Sequence, residues 1–167
     1  MQAAPATGED QTAGALRRLL GDEAATARLG AALAEALRPG DTVCLSGPLG
    51  AGKSALARAL IQARLGDPLH EVPSPSYTLV NVHDDGAGGI WHADLYRLGG
   101  PEEADELGLA DAFAEALVLV EWPDRLGAEL PPRRLEIALA PLSDTAREAR
   151  IAAIGPGWER VLRALGA

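Results

Sequence analysis

The sequence predicts an α/β fold built on a parallel central sheet, and three observations predict it. A short apolar run, residues 42–46, leads straight into a glycine-rich loop and then into a helix-periodic segment over 54–65. A second run, 117–121, is apolar until it closes on Glu121, the pattern of a strand buried on both faces of a parallel sheet. Two further pairs of strand-like segments, 77–82 with 90–96 and 135–140 with 149–154, lie between and after helical pieces.

Taken in order, residues 1–20 mix Ala, Gly, Thr, Gln and charge without a period and read as a partly disordered lead-in to one domain over 21–167. Residues 22–37 carry Leu29, Leu33 and Leu37 on one helical stripe that stops at Arg38-Pro39-Gly40. The strand, glycine loop and helix of 42–65 follow, the helix marked by Leu56, Leu60 and Leu65. Pro73 and Pro75 exclude a helix interior and predict an ordered loop entering the strand 77–82. Residues 84–89 are turn material, which makes 90–96 the partner strand of a hairpin. Residues 101–109 and 111–115 read as short helices, and 158–165 as a closing helix.

Composition removes several classes of function. The chain has 167 residues and a formal charge of −9, which disfavours unaided capture of nucleic acid through phosphate neutralisation, so any RNA connection is expected to run through a partner. Cys44 is the one cysteine, which rules out an internal disulfide and a cysteine-based zinc site and fits a reducing, cytoplasmic setting. No apolar run reaches the roughly 18 residues of a membrane span, and the N-terminus lacks the pattern of a secretory signal.

Gly47-Pro48-Leu49-Gly50-Ala51-Gly52-Lys53-Ser54 satisfies the phosphate-binding loop pattern G-x-x-x-x-G-K-[ST] at every fixed position, between a strand and a helix. Glycines let backbone N–H groups curl around phosphates, the helix N-terminus adds positive dipole, and Lys53 reaches the terminal phosphates. Lys53 is the only lysine among 15 basic residues, as expected where a slim point charge is required and a guanidinium fork does not serve. The nucleotide contacts expected are Gly47, Leu49, Gly50, Ala51, Gly52, Lys53, Ser54 and Ala55, with Mg²⁺ as cofactor held through the Ser54 hydroxyl.

Such a loop needs a carboxylate on a neighbouring strand, and two strands end in acids, Glu121 and Asp94. Glu121 closes the more apolar strand and is the candidate metal-side or water-positioning group. Asp94 is the candidate for orienting attacking water or acting on the metal through water. His92 projects to the same strand face as Asp94 and reads as a structural, hydrogen-bonded histidine. Trp91 reads as core, whereas Trp122 beside Glu121 is the candidate nucleotide-sensing or partner-facing ring.

Three functions are compatible with these motifs. Small GTPases are set aside, because they read guanine with Asn-Lys-x-Asp and the single lysine is already used. An ATPase, a small-molecule kinase and a nucleotide-gated binding module remain. The kinase needs an arginine-bearing lid, and no Arg-rich segment stands out between Leu98 and Leu117.

The order of motifs resembles the bacterial TsaE ATPases, which support threonylcarbamoyladenosine formation in tRNA. The likeness rests on Gly40-Asp41, Gly47 to Ser54, Ser74-Pro75-Ser76-Tyr77-Thr78-Leu79, His92-Ala93-Asp94-Leu95-Tyr96-Arg97-Leu98, Glu106-Leu107-Gly108 and Glu121-Trp122-Pro123-Asp124-Arg125. Ser76 stands where the family commonly has Thr, and Ala93 where it often has a bulky apolar residue. The resemblance implies a P-loop NTPase-type three-layer sandwich, its parallel central sheet extended by antiparallel strands. It also implies weak Mg²⁺-dependent ATP hydrolysis, with Asp94 contributing to it and Glu121 and Trp122 forming an acidic strand end beside a functional aromatic. Residues 74–79, including Ser74, Ser76, Tyr77 and Thr78, are implied to be a switch that responds to nucleotide. The partners implied are the TsaB and TsaD proteins, with tRNA involved only indirectly.

Overall fold

The computed structural model describes residues 12–166 of the chain. One seven-stranded mixed sheet organises them, from strands β1 (Thr12–Leu20), β2 (Thr42–Ser46), β3 (Val80–His83), β4 (Ile90–Asp94), β5 (Leu117–Glu121), β6 (Arg134–Pro141) and β7 (Arg147–Ile154). Their order across the sheet is β1-β7-β6-β2-β5-β4-β3. The four central strands, β6, β2, β5 and β4, run parallel. Antiparallel strands extend both sides: β7 and β1 beyond β6, and β3 beyond β4.

Helices α1 (Glu23–Ala36), α2 (Lys53–Leu65), α3 (Pro101–Glu106), α4 (Leu109–Glu115) and α5 (Glu159–Ala164) complete the layers, with 3₁₀ turns over Pro123–Glu129. Alternation along β5 shows why it had to be apolar throughout. Leu117 and Leu119 join the core with α1, α2 and α5, while Val118 and Val120 join a second core with α3 and α4. All four are fully buried. Leu119→Ala is expected to cost about 2–5 kcal/mol of unfolding free energy, read from the midpoint of a urea transition at unchanged slope.

Local chemistry sets the helix ends. The Asp22 carboxylate accepts the Ala25 N–H at 2.8 Å and caps α1, which acquires Glu23 in its first turn. Gly66, at φ 64°, ends α2 in the left-handed conformation that glycine adopts without strain. Before β2, Asp41 accepts the Arg38 N–H at 2.8 Å and the Arg133 guanidinium at 2.8 Å. The Gly40-Asp41 pair thus pins the entry of the strand that feeds the glycine loop.

The sequence expectation for residues 1–20 changes in part. Residues 12–20 form β1, paired antiparallel with β7, and are not a disordered lead-in; residues 1–11 lie outside the described region. Among residues 14–20 only Leu20 is buried, so β1 is held by backbone pairing at the sheet edge and carries little hydrophobic pattern. Strand β3 starts at Val80 and not at 77, because Leu79 takes φ 67° and donates its N–H to the Pro75 carbonyl at 2.8 Å, closing a turn first. Among the described residues no helix is long and apolar enough to cross a membrane.

Cys44 lies buried in β2, and that burial pushes its thiol up to about 12. Thiolate is the reactive form, so Cys44 is expected to resist a disulfide-exchange reagent at pH 8 in the folded chain and to react fully once unfolded.

Candidate functional site

The C-terminal ends of the parallel strands gather the candidate residues. Strand β2 runs into the glycine loop, whose turns use Gly47 at φ 141° and Gly52 at φ 104°. A Cβ at Gly47 would lie 2.4 Å from the Leu139 carbonyl oxygen, so the loop can pass under β6 only without a side chain there. Leu49 and Gly50 are exposed at the tip of the loop, while Ala51 is buried beneath it.

Lys53 opens α2 with only 5% of its surface exposed. Its ammonium donates to the Gly47 carbonyl at 2.5 Å and the Pro48 carbonyl at 2.8 Å, and lies 4.3 Å from the centroid of the Trp122 ring. Burial lowers its pKa from the ordinary lysine value, while the carboxylates of Glu121 and Asp94 oppose that shift.

Ser54 donates its hydroxyl to Glu121 Oε1 at 2.9 Å, joining the start of α2 to the end of β5. The other oxygen, Glu121 Oε2, is 2.6 Å from His92 Nε2. Both Glu121 and His92 are buried, at 2% and 1% exposure, so these are the partners that make a charged carboxylate tolerable there. Asp94 is opposite Glu121 in the β4–β5 register. Its Oδ1 accepts the Tyr96 N–H at 3.1 Å, and its Oδ2 lies 3.5 Å from the Ser76 hydroxyl.

The segment 74–79 reaches the site through the Ser76 side chain and through the Leu79 carbonyl, which accepts the Asp94 N–H at 2.9 Å. Ser74 and Ser76 hydroxyls are 2.9 Å apart, and Ser76 carries the contact to Asp94. Tyr77 is 83% exposed and lies against the Arg97 guanidinium at 4.6 Å, and Thr78 donates to Asn81 Oδ1 at 2.8 Å, so both are engaged away from the loop. Trp122 does join the site, with φ 60° and its ring centroid 5.0 Å from that of Tyr96. Leu79 and Trp122 are the two non-glycine residues with positive φ in the described chain, and they abut the strand ends that carry Asp94 and Glu121. Backbone strain of about 1–3 kcal/mol at each is the kind that functional sites retain.

Arg147 is the site residue that sequence reasoning missed. It starts β7, on the β6 side of the loop and away from Glu121, and donates to the Ala51 carbonyl at 3.3 Å. A Cβ at Gly52 would fall 1.5 Å from Arg147 Nη1, so Gly52 leaves the space that the guanidinium occupies. A cavity of about 410 Å³ opens beside it, bounded by Glu23, Thr26, Ala55, Arg58, Gln62 and Arg147 among others.

The residues present fit a nucleotide with Mg²⁺. Among the described residues no cluster of three or more His, Cys, Asp or Glu side chains builds an all-protein metal cage. Mg²⁺ does not ask for one, because it is typically held by one or two protein oxygens together with phosphates and water. Ser54 Oγ and Glu121 Oε1, already 2.9 Å apart, supply hard oxygen donors of that kind.

Comparisons with known proteins identify the family. The family model described as threonylcarbamoyl adenosine biosynthesis protein TsaE matches residues 20–149. The tRNA threonylcarbamoyladenosine biosynthesis protein TsaE of Bacillus subtilis is 34% identical over 142 residues, covering 84% of this chain and 85% of that protein. That of Mycobacterium leprae is 42% identical over 123 residues, covering 68% and 75%. The crystal structure of Bacillus subtilis YdiB superposes with a TM-score of 0.73 at 26% identity, covering 91% of this chain and 94% of that one. A phosphate-binding loop on a parallel sheet, two acidic strand ends and this likeness along most of the chain lead to one conclusion: the chain belongs to the TsaE family of tRNA threonylcarbamoyladenosine biosynthesis.

Proposed function

We propose that the chain binds ATP with Mg²⁺ and hydrolyses it, slowly when alone. The observation that carries this reading is the Ser54 to Glu121 hydrogen bond of 2.9 Å beneath a buried Lys53, which places one hydroxyl, one carboxylate and one ammonium at the mouth of a complete phosphate loop. Lys53 and the loop N–H groups hold the β and γ phosphates, and Ser54 and Glu121 hold the metal. Bound Mg²⁺ neutralises the charge that develops on the transferred phosphoryl group. Asp94 has a carboxylate oxygen whose one contact, to Ser76, is long, and that oxygen accepts a proton from, or orients, the attacking water.

In this reading the nucleoside extends over the cleft between α1 and α2, where the 410 Å³ cavity beside Ala55 and Arg147 lies within the about 300–1,000 Å³ typical of small-molecule sites. The Arg147 guanidinium packs on the nucleoside. Arg147→Ala is expected to raise the KM for ATP by about tenfold, or about 1.4 kcal/mol, and to leave kcat unchanged. Steady-state kinetics check this, and an unchanged KM would remove Arg147 from the site.

The acceptor of the chemical signal is a protein. The charge of −9 disfavours direct binding of tRNA, so the ATPase acts on the TsaB and TsaD proteins and resets the modifying assembly between turnovers. Ser76 links nucleotide state to that assembly, since its hydroxyl joins Asp94 to the exposed segment that carries Tyr77. Pull-down of the purified pair by the chain tests this, with ATP, with ADP and without nucleotide.

A further inference from the structure

All three histidines of the chain lie in one row that ends at Glu121. His70 Nε2 is 2.8 Å from His83 Nδ1, their rings meeting edge to face. His92 Nε2 is 2.6 Å from Glu121 Oε2, and Glu121 Oε1 accepts from Ser54. Two ring nitrogens in the row, His83 Nε2 and His92 Nδ1, are buried with no partner among the described residues. His83 pairs with Ile90 and His92 with Asn81 across the β3–β4 hairpin, so the two rings share a face as diagonal neighbours. Diagonal neighbours lie roughly 7–8 Å apart, a gap that two rings and one water span.

Hydrogen-bond chemistry gives this row a direction. A carboxylate only accepts, so the short contact to Glu121 requires a proton on His92 Nε2. Neutral His92 then has a bare Nδ1, an acceptor in need of a donor. His83 Nε2–H is the complementary donor, which makes His83 Nδ1 an acceptor and His70 Nε2–H its donor. Each histidine carries one proton on Nε2, and no extra charge is buried. Burial, with His70 and His92 nearby, lowers the His83 pKa from its ordinary value, consistent with a neutral ring.

We propose that His92 is the positioning residue for the Glu121 carboxylate, and that His83 fixes His92 in its Nε2–H tautomer through one bridging water, with His70 anchoring the far end. The row connects half-buried His70, in the exposed loop after α2 that leads into residues 74–79, to the carboxylate that meets Ser54. The inference rests on the ATPase reading for its effect on turnover, but the tautomers themselves do not depend on it.

Two measurements decide it. Long-range ¹⁵N–¹H correlation spectra of the full, nucleotide-free chain have three histidines to resolve, assigned by His70→Gln, His83→Gln and His92→Gln. The expected result is the Nε2–H tautomer for all three; a proton on His92 Nδ1 would overturn the proposal, and wild-type spectra suffice to show it. In the second measurement, His83→Phe keeps a ring but removes both nitrogens. It is expected to put His92 into a mixture of tautomers and to lower kcat by about tenfold at unchanged KM, with partial rescue in His83→Gln. A variant that lowers only the melting temperature, with His92 tautomer and kcat intact, contradicts the proposal. Absence of turnover in the wild type counts against the ATPase reading alone, and the tautomers still judge the row.

Discussion

Lys53→Ala is expected to abolish nucleotide binding, with calorimetric titration of Mg-ATP showing an affinity at least about a hundredfold weaker than wild type. The magnitude follows from what the ammonium does. It is the sole lysine and is nearly buried, and it bridges the carbonyls of Gly47 and Pro48 while keeping a donor free for a phosphate. Truncation removes that charge and leaves the two carbonyls without it, where the proposed function has the loop hold an anion. Lys53→Arg is expected to rescue poorly, because a planar fork does not fit the point-charge position 4.3 Å from the Trp122 ring. The same ring reports the change: removing the ammonium from its face alters Trp122 emission in the nucleotide-free chain.

The second large effect separates binding from chemistry. Asp94→Ala is expected to bind Mg-ATP within about twofold of wild type and to lose turnover by about a hundredfold or more, the range over which a positioned base contributes. Asp94 makes no hydrogen bond to the phosphate loop in the described structure, and its carboxylate is held by the Tyr96 N–H and the Ser76 hydroxyl. It stands opposite Glu121 at the end of β4, so in the proposed site it faces the phosphate end without anchoring it. Undiminished turnover in purified Asp94→Ala would refute the assignment.

Much of this site was legible because its parts are local. The glycine loop is contiguous, the strand before it and the helix after it are short and clean, and β5 announces itself by four apolar residues closed with an acid. His92 was legible as a structural, hydrogen-bonded group, since its place two residues before Asp94 puts it on a definite face of β4. Arg147 was not legible. It comes 95 positions after Gly52 yet fills the space that Gly52 leaves, a juxtaposition set by the β6–β7 hairpin and signalled by nothing in its neighbourhood. Strand β1 escaped for a different reason: an edge strand held by backbone pairing needs no alternation of apolar residues, and Ala15 to Leu19 shows none that is buried. The pairing of His70 with His83 depends on how a loop returns to a hairpin, which spacing alone does not encode.

The segment 74–79 divides on the same physical grounds. Ser76 meets the site because the turn closed by Leu79 brings its hydroxyl to Asp94, and the exposed Ser74 joins only through Ser76. Tyr77 and Thr78 occupy the outer side of that turn, Tyr77 resting on Arg97, where a ring 83% exposed is available to a protein surface. The proposed coupling therefore runs from γ-phosphate to Asp94, to Ser76, to the outward face of the turn.

The central claim is that this loop and these two acids make an ATPase whose work is done on partner proteins. The most direct measurement is ADP release from Mg-ATP by the purified chain, alone and with the TsaB and TsaD pair, using Lys53→Ala as the blank. The account predicts slow turnover alone, stimulation by the pair, and loss of both in Lys53→Ala. Turnover that the pair leaves unchanged, with no complex formed in the presence of ATP, would contradict it.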